Sequence, residues 1–328
     1  MALRVVVVGL GSIGRRHARL LSRRPDVALE VVEPNAAALE AARQQMGPLR
    51  AHASFESMLE TKPDVVLIAT PTWLHANQTV AALEAGAHVF CEKPMSDNLA
   101  DARRMKAAAD ETGKILNVGF HLHFCEALRA MKACIDDGEL GQVLHAHMHV
   151  GSHITLVNSA SRCQAQCEGS LMLDYSHQPD LLWWLFRKAP RAVIAVGLQD
   201  GNLPLSSRPN VAAIICEYDA PFVATIHLNY VQMPERHTYE IIGDEGWATL
   251  DFNQGLLSVG RRREQDVRTF TYGTEKDDMV RTEQQAFFDA VAGGRAPETS
   301  ADDGLISTAI CEAAIESWRT GRRAPVRI

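Results

Sequence analysis

Four consecutive valines at residues 5–8 run straight into Gly9-Leu10-Gly11-Ser12-Ile13-Gly14, and a helix-like stretch over 15–23 follows at once. A continuous β-branched run is the pattern of a parallel strand buried on both faces. A G-x-G-x-x-G sequence says little alone. Between such a strand and a helix it reads as a dinucleotide-binding turn. Gly9 permits the tight turn, Gly11 lets the backbone approach a pyrophosphate, and Gly14 lets the helix pack closely on the strand. The helix start at Ser12 and Ile13 then offers free N–H groups and a dipole that favour phosphate. A second strand over 28–32 ends at Glu33, nineteen residues after Gly14. That is close to the spacing of ~20 for the acid that binds a ribose. A carboxylate there accepts from the 2′- and 3′-hydroxyls and repels a 2′-phosphate, so NAD is expected in preference to NADP. A solvent-facing glutamate after a strand is the competing reading.

The alternation continues with a helix over 36–45 and a strand over 64–69 that ends in Thr70-Pro71-Thr72. A helix over 75–85 stops at Gly86 and is followed by strand 87–91, helix 100–112 and strand 115–118. Such alternation predicts an α/β domain with a doubly wound parallel sheet. Ligands of these sheets sit beyond the carboxyl ends of the strands. Gly9, Glu33, Thr70, Glu92, Lys93 and His121 are therefore site candidates. After residue 121 the rhythm changes. A helix over 126–137 ends at Gly138, and longer β-like runs follow at 143–150, 192–196, 211–218, 222–230, 239–242 and 248–252. Asp219-Ala220-Pro221 and Asp244-Glu245-Gly246 mark hairpin turns between adjacent runs. The tail returns to helix at 283–291 and 305–320. The expected organisation is a dinucleotide-binding domain over 1–121 and an α+β domain over 122–328. The second domain is built on a large, mostly antiparallel sheet, open on one face. An open face must be covered, so a homodimer or homotetramer formed through this sheet is expected.

Lys and Arg number 33 against 40 Asp and Glu, a net charge of −7. With no dense basic block, neither nucleic acid nor an anionic membrane is an expected partner. Arg261-Arg262-Arg263 is answered by Glu264 and Asp266 and reads as a solvated hairpin face. No apolar run reaches the ~18 residues of a membrane span. The first ten residues already read as a strand, leaving no room for a signal peptide before them. Seven scattered cysteines fit reduced thiols and a cytoplasmic location. Cys163 and Cys167 lack a second pair to complete a zinc site, and no metal is expected there. His145, His147 and His149 share one strand face, with His153 just beyond. Histidines two apart on a strand can chelate a metal, but a polar sheet face or a subunit contact is their more ordinary use.

Cys91-Glu92-Lys93-Pro94 follows Ala-Leu-Glu-Ala-Gly-Ala-His. With Gly9, Gly11 and Gly14, with Ala69-Thr70-Pro71, and with Gly169, Asp174, His177 and Asp180, it resembles the Gfo/Idh/MocA oxidoreductases. The resemblance implies a Rossmann-type N-terminal domain and NAD(P)-dependent chemistry on sugars, cyclitols and related polyols. It places Thr70, Pro71, His75, Glu92 and Lys93 on the cofactor side. It makes Lys93 the group that stabilises the developing alkoxide, His177 the general base and Asp174 its orienting acid. The gap from Asp174 to His177 is three residues, where the commoner family pattern has four. His121 and His123 stand where the family usually has Asn and Arg on the substrate side. Losing the Arg fork makes a neutral polyol the better expectation than a phosphorylated sugar. Net glycoside cleavage through transient oxidation, a non-catalytic sugar or dinucleotide sensor, and metal-assisted chemistry on the histidine strand are the rival readings.

Overall fold

The computed structural model describes residues 2–153, 168–199, 208–263 and 266–328. Arg162, Cys163, Cys167 and Glu264 lie outside the described residues. The chain forms two compact units, Met1–Phe120 with Val280–Thr308, and His121–Met279 with Ala309–Ile328.

The first unit holds six parallel strands in the order β3-β2-β1-β4-β5-β6. They are β1 (Leu3–Val8), β2 (Val27–Val32), β3 (Arg50–His52), β4 (Val65–Ile68), β5 (His88–Cys91) and β6 (Leu116–Val118). Helices α1 (Ser12–Leu21), α2 (Ala36–Met46), α3 (Phe55–Leu59), α4 (Thr72–Glu84) and α5 (Leu99–Thr112) alternate with them. β3 and α3 were not anticipated. Three residues reading Arg-Ala-His carry no apolar signal, and β3 is held by side chains instead. Glu30, buried on β2, faces Arg50 Nη1 at 3.1 Å and His52 Nε2 at 2.6 Å.

The expected continuous domain over 122–328 is interrupted, because residues 280–308 belong to the first unit. The reason is apolar. Phe287 and Phe288 are buried in one cluster with Val5, Val7, Leu10, Leu21 and Phe90. Thr299 completes the attachment: its carbonyl accepts from Val118 N–H and its hydroxyl donates to Asn117 Oδ1 at 3.0 Å.

The second unit carries a nine-stranded sheet in the order β14-β13-β12-β11-β7-β10-β9-β8-β15. In chain order these are β7 (Val143–Gly151), β8 (Ala192–Leu198), β9 (Val211–Glu217), β10 (Val223–Asn229), β11 (Arg236–Gly243), β12 (Gly246–Asp251), β13 (Leu256–Arg261), β14 (Asp266–Thr271) and β15 (Ala324–Pro325). All neighbours are antiparallel except β7 and β10, which run parallel. Its helices are α6 (Glu126–Asp136), α7 (Ser170–Asp174) and α8 (His177–Phe186); of the two later helices, α9 (Lys276–Gly293) belongs from Val280 on to the first unit, and α10 (Ala301–Thr320) passes from the first unit into the second after Thr308. One sheet face is closed by Ala146, Met148, Val150, Ile226, Leu228, Tyr239 and Ile241. The other face leaves Ile194, Val196, Leu198, Ile215 and Val223 exposed. Arg261 and Arg263 pair with Glu139 and Glu245. Five cysteines, Cys91, Cys125, Cys134, Cys216 and Cys311, are free and buried. Among the described residues no helix is long and apolar enough to cross a membrane.

The histidine stripe lies in the middle of the open face. His147 Nδ1 is 2.8 Å from Thr225 Oγ1, His149 Nε2 is 2.7 Å from Gln232 Oε1, and His149 stacks on His227 at 4.7 Å. Burial, and then neighbouring histidines, push the pKa values of His147 and His227 below the ordinary value. His237 is depressed chiefly by burial. A histidine with a lowered folded-state pKa binds its proton more tightly when unfolded. Its stabilisation is complete above the unfolded pKa of about 6.5 and is lost as pH falls below it. The melting temperature should therefore drop between pH 7.5 and 5.5, and His227→Gln should shallow that drop. A melting temperature that rises on acidification would contradict this account.

Candidate active site

The glycine-rich turn is dictated by space. Gly9 has φ +89°, a left-handed conformation that suits glycine, and a Cβ there would lie 2.8 Å from the Ala69 carbonyl oxygen. At Gly14 a Cβ would stand 1.9 Å from the carbonyl oxygen of Gly9. At Gly11 it would meet nothing within 4 Å. Gly11 is the N-cap of α1 and supplies no capping side chain, and the first turn carries no acid. The leading N–H groups of α1, from Ser12 and Ile13 on, thus face an open approach suited to a pyrophosphate. Glu33 completes this turn. Its Oε2 accepts from Leu10 N–H at 2.6 Å, and its Oε1 accepts from Asn35 N–H at 2.8 Å. Its carboxylate is thereby fixed beside the glycine loop. These residues fit a dinucleotide.

Two further loops leave the carboxyl ends of β4 and β5. Thr70 donates through its hydroxyl to Gln78 Oε1 at 2.6 Å, and Pro71 is the N-cap of α4. His75, buried on α4, lies with Nε2 2.8 Å from the Thr70 carbonyl oxygen and Nδ1 2.9 Å from that of Pro94. Burial lowers its pKa, outweighing the two carbonyls that favour the proton. Glu92 is also buried. Its Oε1 is 2.8 Å from His17 Nε2, and its Oε2 accepts from the Lys93 backbone N–H at 3.1 Å. Lys93 stands between these two partners on the loop.

The remaining candidates belong to the second unit. His121 and His123 share one turn of 3₁₀ helix, His121–Phe124. His121 meets His177 edge to face, with centroids 4.6 Å apart. His123 and Asp180 are both fully buried, Nε2 to Oδ2 at 2.8 Å, and His123 stacks on Trp184 at 4.7 Å. Asp174 Oδ2 accepts from the Tyr230 hydroxyl at 2.5 Å. Tyr230 was not anticipated as a partner, because a tyrosine closing an apolar strand looks like any core aromatic. His17 was missed for a similar reason. It sits inside an otherwise ordinary amphipathic helix.

Gly14→Ala tests the turn. With backbone in the way of the new methyl, α1 has to move, so about 1–3 kcal/mol of stability should be lost. NAD affinity should fall at least ~10-fold, read by thermal melting and cofactor titration. Unchanged NAD affinity would mean that the helix start does not hold the phosphates.

A model described as an oxidoreductase family with an NAD-binding Rossmann fold matches residues 3–120, and one for that family's C-terminal α/β domain matches residues 132–328. Inositol 2-dehydrogenase 3 of Saccharopolyspora erythraea is 29% identical over 337 residues, spanning 100% of this chain and 96% of that protein. The 1,5-anhydro-D-fructose reductase of Ensifer adhaerens is 26% identical over 274 residues, 80% of each protein. The crystal structure of myo-inositol 2-dehydrogenase from Lactobacillus plantarum shares the fold, with a TM-score of 0.86 over 100% of both chains at 22% identity. With both halves matched, the chain belongs to the Gfo/Idh/MocA oxidoreductases, and its residues 3–120 are their NAD-binding Rossmann domain.

Proposed function

We propose that the protein is an NAD-dependent dehydrogenase that interconverts a secondary ring alcohol and its ketone on a cyclitol, sugar or glycoside. The observation that carries this reading is Lys93. It leaves the carboxyl end of β5 on a loop whose neighbours are held by buried hydrogen bonds, where sheets of this class present reactive groups. The relatives named for inositol and anhydrofructose chemistry act on polyols of this class. NAD, when bound, supplies the hydride acceptor. Lys93 donates to the substrate oxygen and stabilises the alkoxide as the ring carbon is oxidised. His177 takes the hydroxyl proton and returns it in the reductive direction. Asp174, its carboxylate set by Tyr230, orients that exchange. His123 is committed to the buried Asp180 and stacked on Trp184, which supports a neutral substrate rather than a phosphorylated one. The exposed apolar stretch of β8, β9 and β10 supports self-association through the open sheet face.

A panel of inositols, anhydrosugars, free sugars and their phosphates, scored by NADH formation, tests the reading. Lys93→Ala and His177→Ala should each lower kcat/KM by about 10²-fold or more on the best substrate. Near-normal turnover in both would remove the proposed acid–base pair. An NAD requirement without NADH accumulation would favour glycoside cleavage through transient oxidation, and no turnover of any kind would favour a sensor.

Cofactor choice is a separate test. Glu33→Ser removes the carboxylate that receives the ribose hydroxyls and repels a 2′-phosphate. The preference for NAD over NADP should narrow at least ~10-fold, about 1.4 kcal/mol. A wild type that prefers NADP, or a ratio unmoved by the substitution, would overturn the role of Glu33.

A further inference from the structure

The Glu92-Lys93-Pro94 loop is gripped on both sides of its lysine by a buried histidine, and the two histidines come from different helices. On one side, fully buried His17 of α1 meets Glu92 Oε1 at 2.8 Å. The Gln284 side-chain amide donates to His17 Nδ1 at 2.8 Å. Nδ1 is thus the acceptor, and the ring proton on Nε2 is donated to Glu92. The other carboxylate oxygen receives the Lys93 N–H. The carboxylate is wedged in place, since a Cβ on Gly119 would lie 3.0 Å from its carbon. On the other side, His75 of α4 lies between the carbonyls of Pro94 and Thr70, 2.9 and 2.8 Å from its two ring nitrogens, and its single N–H in the neutral form is donated to one of them. Burying two imidazoles and a carboxylate is costly compared with apolar packing of similar volume. What the arrangement offers in return is geometry. α1 starts at the phosphate-binding turn and α4 starts at the Thr70-Pro71 loop, so both cofactor-side turns are tied to the lysine loop.

We propose that His17 and His75 are positioning residues for Lys93, fixing the loop so that its ammonium meets the substrate oxygen in the reactive geometry. The proposal rests on the assignment of Lys93 as the group that handles the reacting oxygen. Neither histidine touches substrate in this scheme. A lysine displaced by ~1 Å still sits in its site but loses about 10²-fold in rate, so the loss belongs in kcat and not in binding.

The experiment uses the full chain with NAD and the panel member that the wild type turns over fastest. His17→Leu and His75→Leu should lower kcat at least ~10-fold at saturating NAD, with the KM for the panel substrate within about threefold of wild type. His17→Gln, whose amide can still donate to Glu92, should recover most of that loss. Gln284→Leu, which leaves the loop and His17 in place, should lower kcat about threefold or more and decides the matter if the leucine variants do not fold. Lys93→Ala is measured alongside. If it abolishes turnover while the histidine and Gln284 variants keep wild-type kcat, the positioning role is overturned and the lysine assignment stands. The positioning role also fails if the losses appear only in KM, or if His17→Gln is no better than His17→Leu. If Lys93→Ala keeps its turnover, or the wild type oxidises no panel member, the lysine assignment fails and the positioning role goes with it.

Discussion

The approach of α1 to the end of β1 is the contact on which the nucleotide unit depends. No side chain fits between Gly14 and the carbonyl of Gly9, so the first turn of the helix lies directly against the turn that leaves the strand. That closeness sets the start of α1, which has no capping side chain, beside the turn in which Leu10 N–H donates to Glu33. It also sets His17, one turn further along, against Phe90 and Glu92. A single steric fact at a glycine thus governs the space at the helix start, the position of Leu10 against Glu33 and the anchoring of the Glu92-Lys93 loop.

The polar network of this unit is organised by buried groups with matched partners. Glu92 receives the His17 ring N–H and the Lys93 backbone N–H, and Gln284 fixes the tautomer of His17. Such a network is stable only when its members are satisfied together. Gln284 reaches it because the chain returns to the first unit after residue 280, carried by Phe287 and Phe288 into the apolar cluster around Val5 and Val7. In the second unit the same principle appears as the pair His123–Asp180, capped by Trp184. Its sheet is different in kind, closed by apolar side chains on one face and open on the other. The open face mixes exposed aliphatics on β8 and β9 with histidines on β7 and β10.

Local pattern made much of this legible. The valine run, the spaced glycines, the acid at Glu33 and the Glu-Lys-Pro segment each act over a few residues, and each sits at a strand end in the structure. The strand alternation was readable because burial on two faces demands continuous apolar runs. β3 was not, since Arg50-Ala51-His52, paired at an edge, carries no such run. The parallel pairing of β7 with β10 was also hidden. Pairing direction depends on the path of the intervening chain, and alternation along a strand is the same in either direction.

What the sequence determined by itself is the type of turn, the order of elements and the chemistry available at each strand end, because glycine sterics and hydrophobic period are local properties. Which polar groups meet was decided only by the tertiary structure. His17 with Glu92 spans 75 residues, His123 with Asp180 spans 57, and Tyr230 with Asp174 spans 56. Over such separations no periodicity links the partners. They are brought together by packing of the helices and strands that carry them, and burial then requires that each donor find an acceptor.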